Sequence, residues 1–176
     1  MFKSSLLYNR TGNWSKWWSS LNLMNKPYFK TAKDAPEPLR AIVKTITRFE
    51  EIDSMGIAWH GRFASYFEDA RVSLGEKYKI SYFDLFNNGI LAPLKKIHID
   101  FKKPVFFREE ISIECILHYT EASKISTEYI IKKQDNTIAA TGYVIQMLLN
   151  LKYELFLTQP EYYKNFCKMW EKGKIK

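Results

Sequence analysis

Apolar and polar positions change their spacing several times along the chain, and each change marks an element. Residues 39–51, LRAIVKTITRFEE, alternate apolar with polar, as a strand with one buried face does. Residues 60–79 then place Phe63, Phe67, Ala70, Leu74 and Tyr78 three or four apart, which predicts an amphipathic helix. Gly75 lies inside that stripe and predicts a local loosening, since glycine costs about 1 kcal/mol relative to alanine in a helix. Ser81 stands where an N-cap would open a second short helix, SYFDLF, closed by Asn87-Asn88-Gly89.

Downstream the period returns to two. Ile97, Ile99 and Phe101 alternate with His98, Asp100 and Lys102. Ile111, Ile113, Cys115 and Leu117 alternate with Ser112, Glu114 and His118, and Ile125, Thr127, Tyr129 and Ile131 with Ser126, Glu128 and Lys132. Residues 138–151 are mostly apolar and suit an interior strand. Lys103-Pro104, residues 121–123 and residues 134–136 supply the turns between them. A strand, a long helix and four further strands predict an α+β domain, a mostly antiparallel sheet wrapped around one long helix. Residues 160–172 predict a terminal helix. The chain thus divides into a basic, Trp-rich extension and linker (1–38), the main domain (39–158) and a C-terminal helix with a basic tail (159–176).

Composition narrows the functional classes. With 176 residues, 46% of them hydrophobic and 16% aromatic, the chain is neither disordered nor collagen-like and is long enough for one buried core. Cys115 and Cys167 are too few for a disulfide scaffold or a multi-cysteine zinc ribbon. No run of about 18 apolar residues predicts a membrane span. The net charge of +8 is uneven. Residues 1–38 hold six Lys/Arg against two acids, residues 39–149 fifteen against fourteen, and residues 150–176 six against three. A body so close to neutral argues against a nucleic-acid-binding module, which carries its basic face on the folded domain.

The extension has no acid before Asp34, and Trp14, Trp17, Trp18 and Leu21 could form a short amphipathic helix. Docking on the body or a partner is the expectation, with a start at Met24 as the plain alternative and membrane contact as a lesser one. The segment lacks the arginine content of a transit peptide.

Candidate chemistry is sparse. The glycines are scattered, so there is no phosphate loop, and no nucleophile elbow occurs. His60, His98 and His118 are not at metal-ligand spacing. His98 and His118 fall on outward strand positions, where solvated side chains are expected, and Cys115 falls on an inward one as a core residue. The segment that remains is 53–60, Asp-Ser-Met-Gly-Ile-Ala-Trp-His, joining the first strand to the long helix. Gly56 permits a tight turn, and the helix start beyond His60 offers unpaired N–H groups and a positive dipole end. A carboxylate facing such a terminus has the parts for attack on a carbonyl, with Asp53 as base or nucleophile and backbone N–H groups holding the oxyanion. The same pattern is met by an aspartate that only caps a turn.

Residues 47–71, TRFEEIDSMGIAWHGRFASYFEDAR, resemble the signature of the 4-hydroxybenzoyl-CoA thioesterase family, including its Tol–Pal-associated acyl-CoA thioesterase branch. The matching positions are Asp53, Gly56, Ile57, Trp59, His60, Phe63, Phe67, Glu68, Ala70 and Arg71. The likeness extends from about residue 40 to about residue 161. It implies a single hotdog domain, assembled as a homodimer or homotetramer with sites at the dimer interface. It also implies a cytoplasmic enzyme that hydrolyses an acyl-CoA or acyl-carrier-protein thioester. Asp53 would be the catalytic carboxylate, as nucleophile or general base. His60 would orient water or thioester, and the backbone at His60 and Gly61 would polarise the carbonyl. Gly56, Trp59, Phe63, Phe67 and Glu68 become substrate-pocket candidates. Lys102, Lys103, Arg108 and Lys124 are candidates for the phosphates of coenzyme A or of a carrier's phosphopantetheine.

No metal or organic cofactor is expected beyond the coenzyme A or phosphopantetheine of the substrate. Nucleic acid is not an expected partner. Two departures from the family pattern, Arg62-Phe63 for Asn/Ser-Tyr and Phe49 for Tyr, remove hydroxyls and favour a bulky or aliphatic acyl chain. The competing readings are a 3-hydroxyacyl-thioester dehydratase, which would pair His60 with Glu68, and a non-catalytic acyl-thioester-binding protein.

Overall fold

The computed structural model describes residues 28–30 and 33–175. Five strands, β1 (Leu39–Ile46), β2 (Leu94–Phe101), β3 (Glu110–His118), β4 (Lys124–Lys133) and β5 (Ile138–Met147), form one sheet in the order β1-β3-β4-β5-β2. All four pairings are antiparallel. Helix α1 (Arg62–Tyr78) lies across the inner face, packed mainly against β1 and β3. This is the hotdog arrangement, with α1 as its filling.

Alternation explains the inner face. Ile111, Ile113, Cys115 and Leu117 of β3 and Ile125, Tyr129 and Ile131 of β4 are buried, and they meet the stripe Phe63, Phe67, Ala70, Leu74 and Tyr78 of α1. The Phe67 ring stacks on Tyr129 with centroids 4.2 Å apart and planes 9° from parallel. Burial pushes the Cys115 thiol up to about 12, as expected for an inert core cysteine.

Two local expectations need correction. The first strand ends at Ile46, not at residue 51. Thr47 turns inward, where its N–H donates to the Glu109 carbonyl, and Phe49–Glu51 form a 3-10 turn that buries Glu51. Nor does α1 loosen at Gly75. The returning chain passes so close that a Cβ there would sit 2.8 Å from Ser81 Cα, so the glycine serves a close approach. Helix α1 stops at Lys79, which adopts the left-handed conformation (φ 60°). Ser81 then caps α2 (Tyr82–Asn87), with the Asp84 N–H donating to its Oγ at 3.1 Å and its own N–H donating to Asp84 Oδ2 at 2.9 Å.

Helix α3 (Glu161–Glu171) adds Tyr163, Phe166, Cys167 and Trp170 to the same core, and Trp170 Nε1 donates to the Glu37 carbonyl at 2.9 Å. On the outer face His98 is exposed, as expected, beside Asp100. His118 is not solvated. It is buried, and its Nε2 lies 3.0 Å from Oε2 of the equally buried Glu128. Its position is outward, as the alternation requires, but part of the amino-terminal region covers that face. The Phe29 ring lies 5.1 Å from the His118 ring, and the Tyr28 hydroxyl donates to Asp100 and bonds Thr141. Tyr28 and Phe29 thus pack on this face, whereas Trp14, Trp17, Trp18 and Leu21, for which docking is the expectation, and Met24 lie outside the described residues.

Candidate active site

The loop between β1 and α1 is built by its own backbone. The Asp53 N–H donates to the Ile57 carbonyl at 2.9 Å and the Gly56 N–H to the Asp53 carbonyl at 3.0 Å, with Gly56 in a left-handed conformation (φ 77°). Asp53 Oδ1 accepts from the Met55 N–H at 2.8 Å, an Asx turn that fixes the carboxylate. Its Oδ2 has no hydrogen-bond partner among the described residues, so the side chain both caps the turn and presents a free oxygen. Ala58 N–H donates to the Val105 carbonyl and Trp59 N–H to the Glu51 carbonyl, which press the loop against the segment after β2.

That loop delivers the chain to the start of α1. Gly61 is the N-cap and makes no side-chain cap. Neither the His60 nor the Gly61 N–H donates to a described residue, which leaves polar hydrogens at the positive end of the helix dipole. The Trp59 indole lies against Gly61, where a Cβ would meet ring carbons at 2.4, 2.5 and 2.7 Å. The exposed His60 ring packs on Trp59 at 5.3 Å, and within this chain His60 makes no hydrogen bond to Glu68.

Beneath the loop sits a group that the sequence pattern does not single out. Glu51 is buried and accepts from Tyr66 Oη (2.7 Å), Arg62 Nε (2.7 Å) and the Arg48 N–H (2.9 Å). Burial alone would raise its pKa, but these donors and the Arg62 charge outweigh it and hold the carboxyl below the usual range. Arg62, a departure from the family pattern, is thus the ion-pair partner that anchors the loop to α1. Glutamate two residues before the aspartate, with Arg and Tyr four apart on the helix, is the signal that could have found it.

The other candidates separate. Phe63 is core, against Phe101 and Tyr66. Phe67 and Glu68 line an open cleft of about 410 Å³ between α1 and the β5–β2 side of the sheet, with Arg71, Tyr82, Ile97 and Gln146. Arg71 is buried there, donating to Gln146 Oε1 (3.3 Å) and the Ile80 carbonyl (3.2 Å), and its Nη1 has no partner among the described residues. Burial, with a hydrogen bond to Glu68, lifts the neighbouring Tyr82 hydroxyl to about 12. Lys102, Lys103 and Arg108 follow β2 at the Asp53 end of the sheet. Lys124 opens β4 at the opposite end, about 30 Å from Lys133 at the strand rise of roughly 3.3 Å per residue. It is not brought to the site. Among the described residues no group of His, Cys, Asp and Glu is placed to hold a metal ion, and no helix is long and apolar enough to cross a membrane.

Comparison with known proteins fits this geometry. Residues 47–164 match the family model described as the thioesterase-like superfamily. A Bacillus subtilis (strain 168) protein described as a candidate acyl-CoA thioesterase is 34% identical over 62 residues, 35% of this chain and 45% of its own length. The chain therefore spans under half of that relative. A candidate esterase of Aquifex aeolicus (strain VF5) is 26% identical over 98 residues, 56% of this chain and 77% of the relative. Among solved structures, a DHNA-CoA thioesterase from Staphylococcus aureus superposes with a TM-score of 0.68 at 23% identity, covering 77% of this chain and 91% of that one. At that identity the superposition establishes the hotdog fold.

Proposed function

Because the chain belongs to the thioesterase-like superfamily, we propose that it hydrolyses acyl thioesters with the Asp53 loop as its catalytic centre. The observation that carries this reading is the Asp53 carboxylate, whose Oδ2 has no partner among the described residues, on a turn that also delivers the His60 and Gly61 N–H groups, which donate to none of those residues. In the proposed reaction the thioester carbonyl oxygen accepts from those N–H groups, and Asp53 takes a proton from water as it attacks the carbonyl carbon. Collapse of the tetrahedral adduct breaks the C–S bond, and the proton passes to the leaving thiolate. The products are a free acid and a thiol. Asp53 as nucleophile would give the same products through an anhydride.

The relatives' names favour coenzyme A as the thiol. The experiment is thiol release from a panel of acyl-CoA and acyl-carrier-protein thioesters, with wild type beside Asp53→Asn. Asparagine keeps the Oδ1 acceptor of the turn, so loss of rate reports chemistry rather than folding. The expected drop in kcat is about 10²–10⁴-fold. Full activity in the variant, or no thiol release from any substrate by wild type, sinks the reading. The same preparation is expected to weigh as a dimer by light scattering, through the edge strand β2 that exposes Leu94, Ile97 and Phe101 beside the open cleft.

A further inference from the structure

The end of the sheet away from Asp53 carries a turn held as firmly as the Asp53 loop, with apolar side chains on its outside. After β5, Leu149 pairs antiparallel with Leu155, and the residues between them fold round Asn150. The Asn150 carbonyl accepts from the Tyr153 N–H at 2.9 Å, and its Oδ1 accepts from the N–H groups of Lys152 (2.8 Å) and Glu154 (3.0 Å). Its Nδ2 donates to Glu154 Oε2 at 2.7 Å. A turn satisfied from within presents Leu151, Tyr153, Leu155 and Leu157 to solvent, with Tyr153 78% and Leu157 91% exposed.

Helix α2 belongs to the same end. Past its last turn the Gly89 and Ile90 N–H groups donate back to the Phe86 and Leu85 carbonyls, and Leu91 then pairs with Leu149. Leu85 is buried, whereas Phe83 and Phe86 face out, Phe83 81% exposed. Tyr162 of α3 joins the group by donating to the Lys79 carbonyl at 2.7 Å. Six large apolar side chains thus stand in water on short, anchored segments, which marks an interaction surface.

The charges beside them indicate what that surface meets. Lys79, Lys95, Lys152 and Lys164 are exposed at this end, and none makes an ion pair with a described residue. Of the acids in these segments, Asp84 is held in the Ser81 cap and Glu154 on Asn150, which leaves Glu161 against four lysines. A protein partner is the poorer match, since a stable interface takes roughly 20–30 residues a side. Apolar tips ringed by lysines suit a bilayer containing anionic lipid. Leucine and phenylalanine enter the boundary between headgroups and acyl chains, Tyr153 keeps its hydroxyl towards water, and the lysines meet phosphates.

We propose that this end of the molecule docks on an anionic membrane surface through the 149–157 turn and α2. The proposal stands independently of the hydrolysis reading. Tyr82 of α2 also lines the open cleft beside α1, so docking sets that cleft next to lipid.

Co-sedimentation of the full chain with vesicles tests it, using phosphatidylcholine alone and phosphatidylcholine with about 30% phosphatidylglycerol. Wild type is expected to partition onto the anionic vesicles and to be released at high salt. Tyr153→Asn removes the ring at a residue whose φ of 64° asparagine tolerates, and Leu157→Ser removes a side chain already in water, so neither should lower the unfolding temperature. Each is expected to weaken partitioning about tenfold, and Lys152→Gln about fivefold. Wild type that stays in solution beside anionic vesicles overturns the proposal. So does binding that neither apolar variant weakens, because the attachment then lies elsewhere in the chain. If the variants instead lower the mass seen by light scattering and leave vesicle binding unchanged, the surface joins two copies of this chain, and membrane docking is refuted.

Discussion

The two faces of the sheet are both well covered, but by different means. On the inner face β3 and β4 present Ile111, Ile113, Cys115, Leu117, Ile125, Tyr129 and Ile131 to a helix that belongs to the same domain. On the outer face the same strands present His118, Ser126, Glu128 and, from β5, Thr141, all nearly as buried. There the cover includes two aromatic residues, Tyr28 and Phe29, from beyond the regular fold. Hydrophobic burial dominates the first face; on the second, His118 pairs with Glu128 and Thr141 with Tyr28, while the buried Ser126 Oγ meets no partner among the described residues. The first tolerates change of shape poorly, whereas the second is sensitive to which polar group loses its partner.

Unfolding in denaturant separates the two. The largest effect belongs to the inner face, where Phe67→Ala removes a fully buried ring stacked on Tyr129 and is expected to cost about 3–5 kcal/mol. His118→Ala strips the buried Glu128 carboxylate of its one hydrogen-bonding side chain among the described residues and is expected to cost about 1–3 kcal/mol. Replacing both His118 and Glu128 with leucine should recover most of that loss, because no orphaned carboxylate remains. A double variant as unstable as the single one would mean that the outer face, too, depends on packing.

The smallest effect is Tyr28→Phe, about 1 kcal/mol at neutral pH. The Tyr28 hydroxyl bond is the main reason that the Asp100 carboxyl lies below its usual range, with His98 also helping. A lowered folded-state pKa adds stability that is complete above the ordinary aspartate value of about 4 and is lost as pH falls through the lowered one. The gap between wild type and Tyr28→Phe should therefore be constant from about pH 5 to about pH 9 and shrink in stronger acid. A gap that widened on acidification would detach Tyr28 from Asp100.

Local periodicity made the inner face legible in the sequence, together with the α1 stripe and the Ser81 cap. Each rests on side chains within a few residues of one another. Asp53 and Gly56 were legible for the same reason, since the turn they make closes on itself. Glu51 was not, because its burial depends on Tyr66 and Arg62, fifteen and eleven residues further on. His118 shows a different limit. Alternation put it on the correct face, but whether that face is wet depends on residues 90 positions earlier. Gly75 misled because its cost within the helix is local, whereas its benefit comes from the returning chain at Ser81.

The strand order also sets a timetable for synthesis. In the sheet β2 hydrogen-bonds only to β5, which begins 37 residues after β2 ends. At roughly 5–20 residues per second, a ribosome takes on the order of 2–9 s to carry the chain from the end of β2 to the end of β5. For that interval Leu94, Ile97 and Phe101 belong to a strand whose partner has not yet been made. Lys95 and Lys96 sit among them, charges that discourage a nascent edge from pairing with another chain.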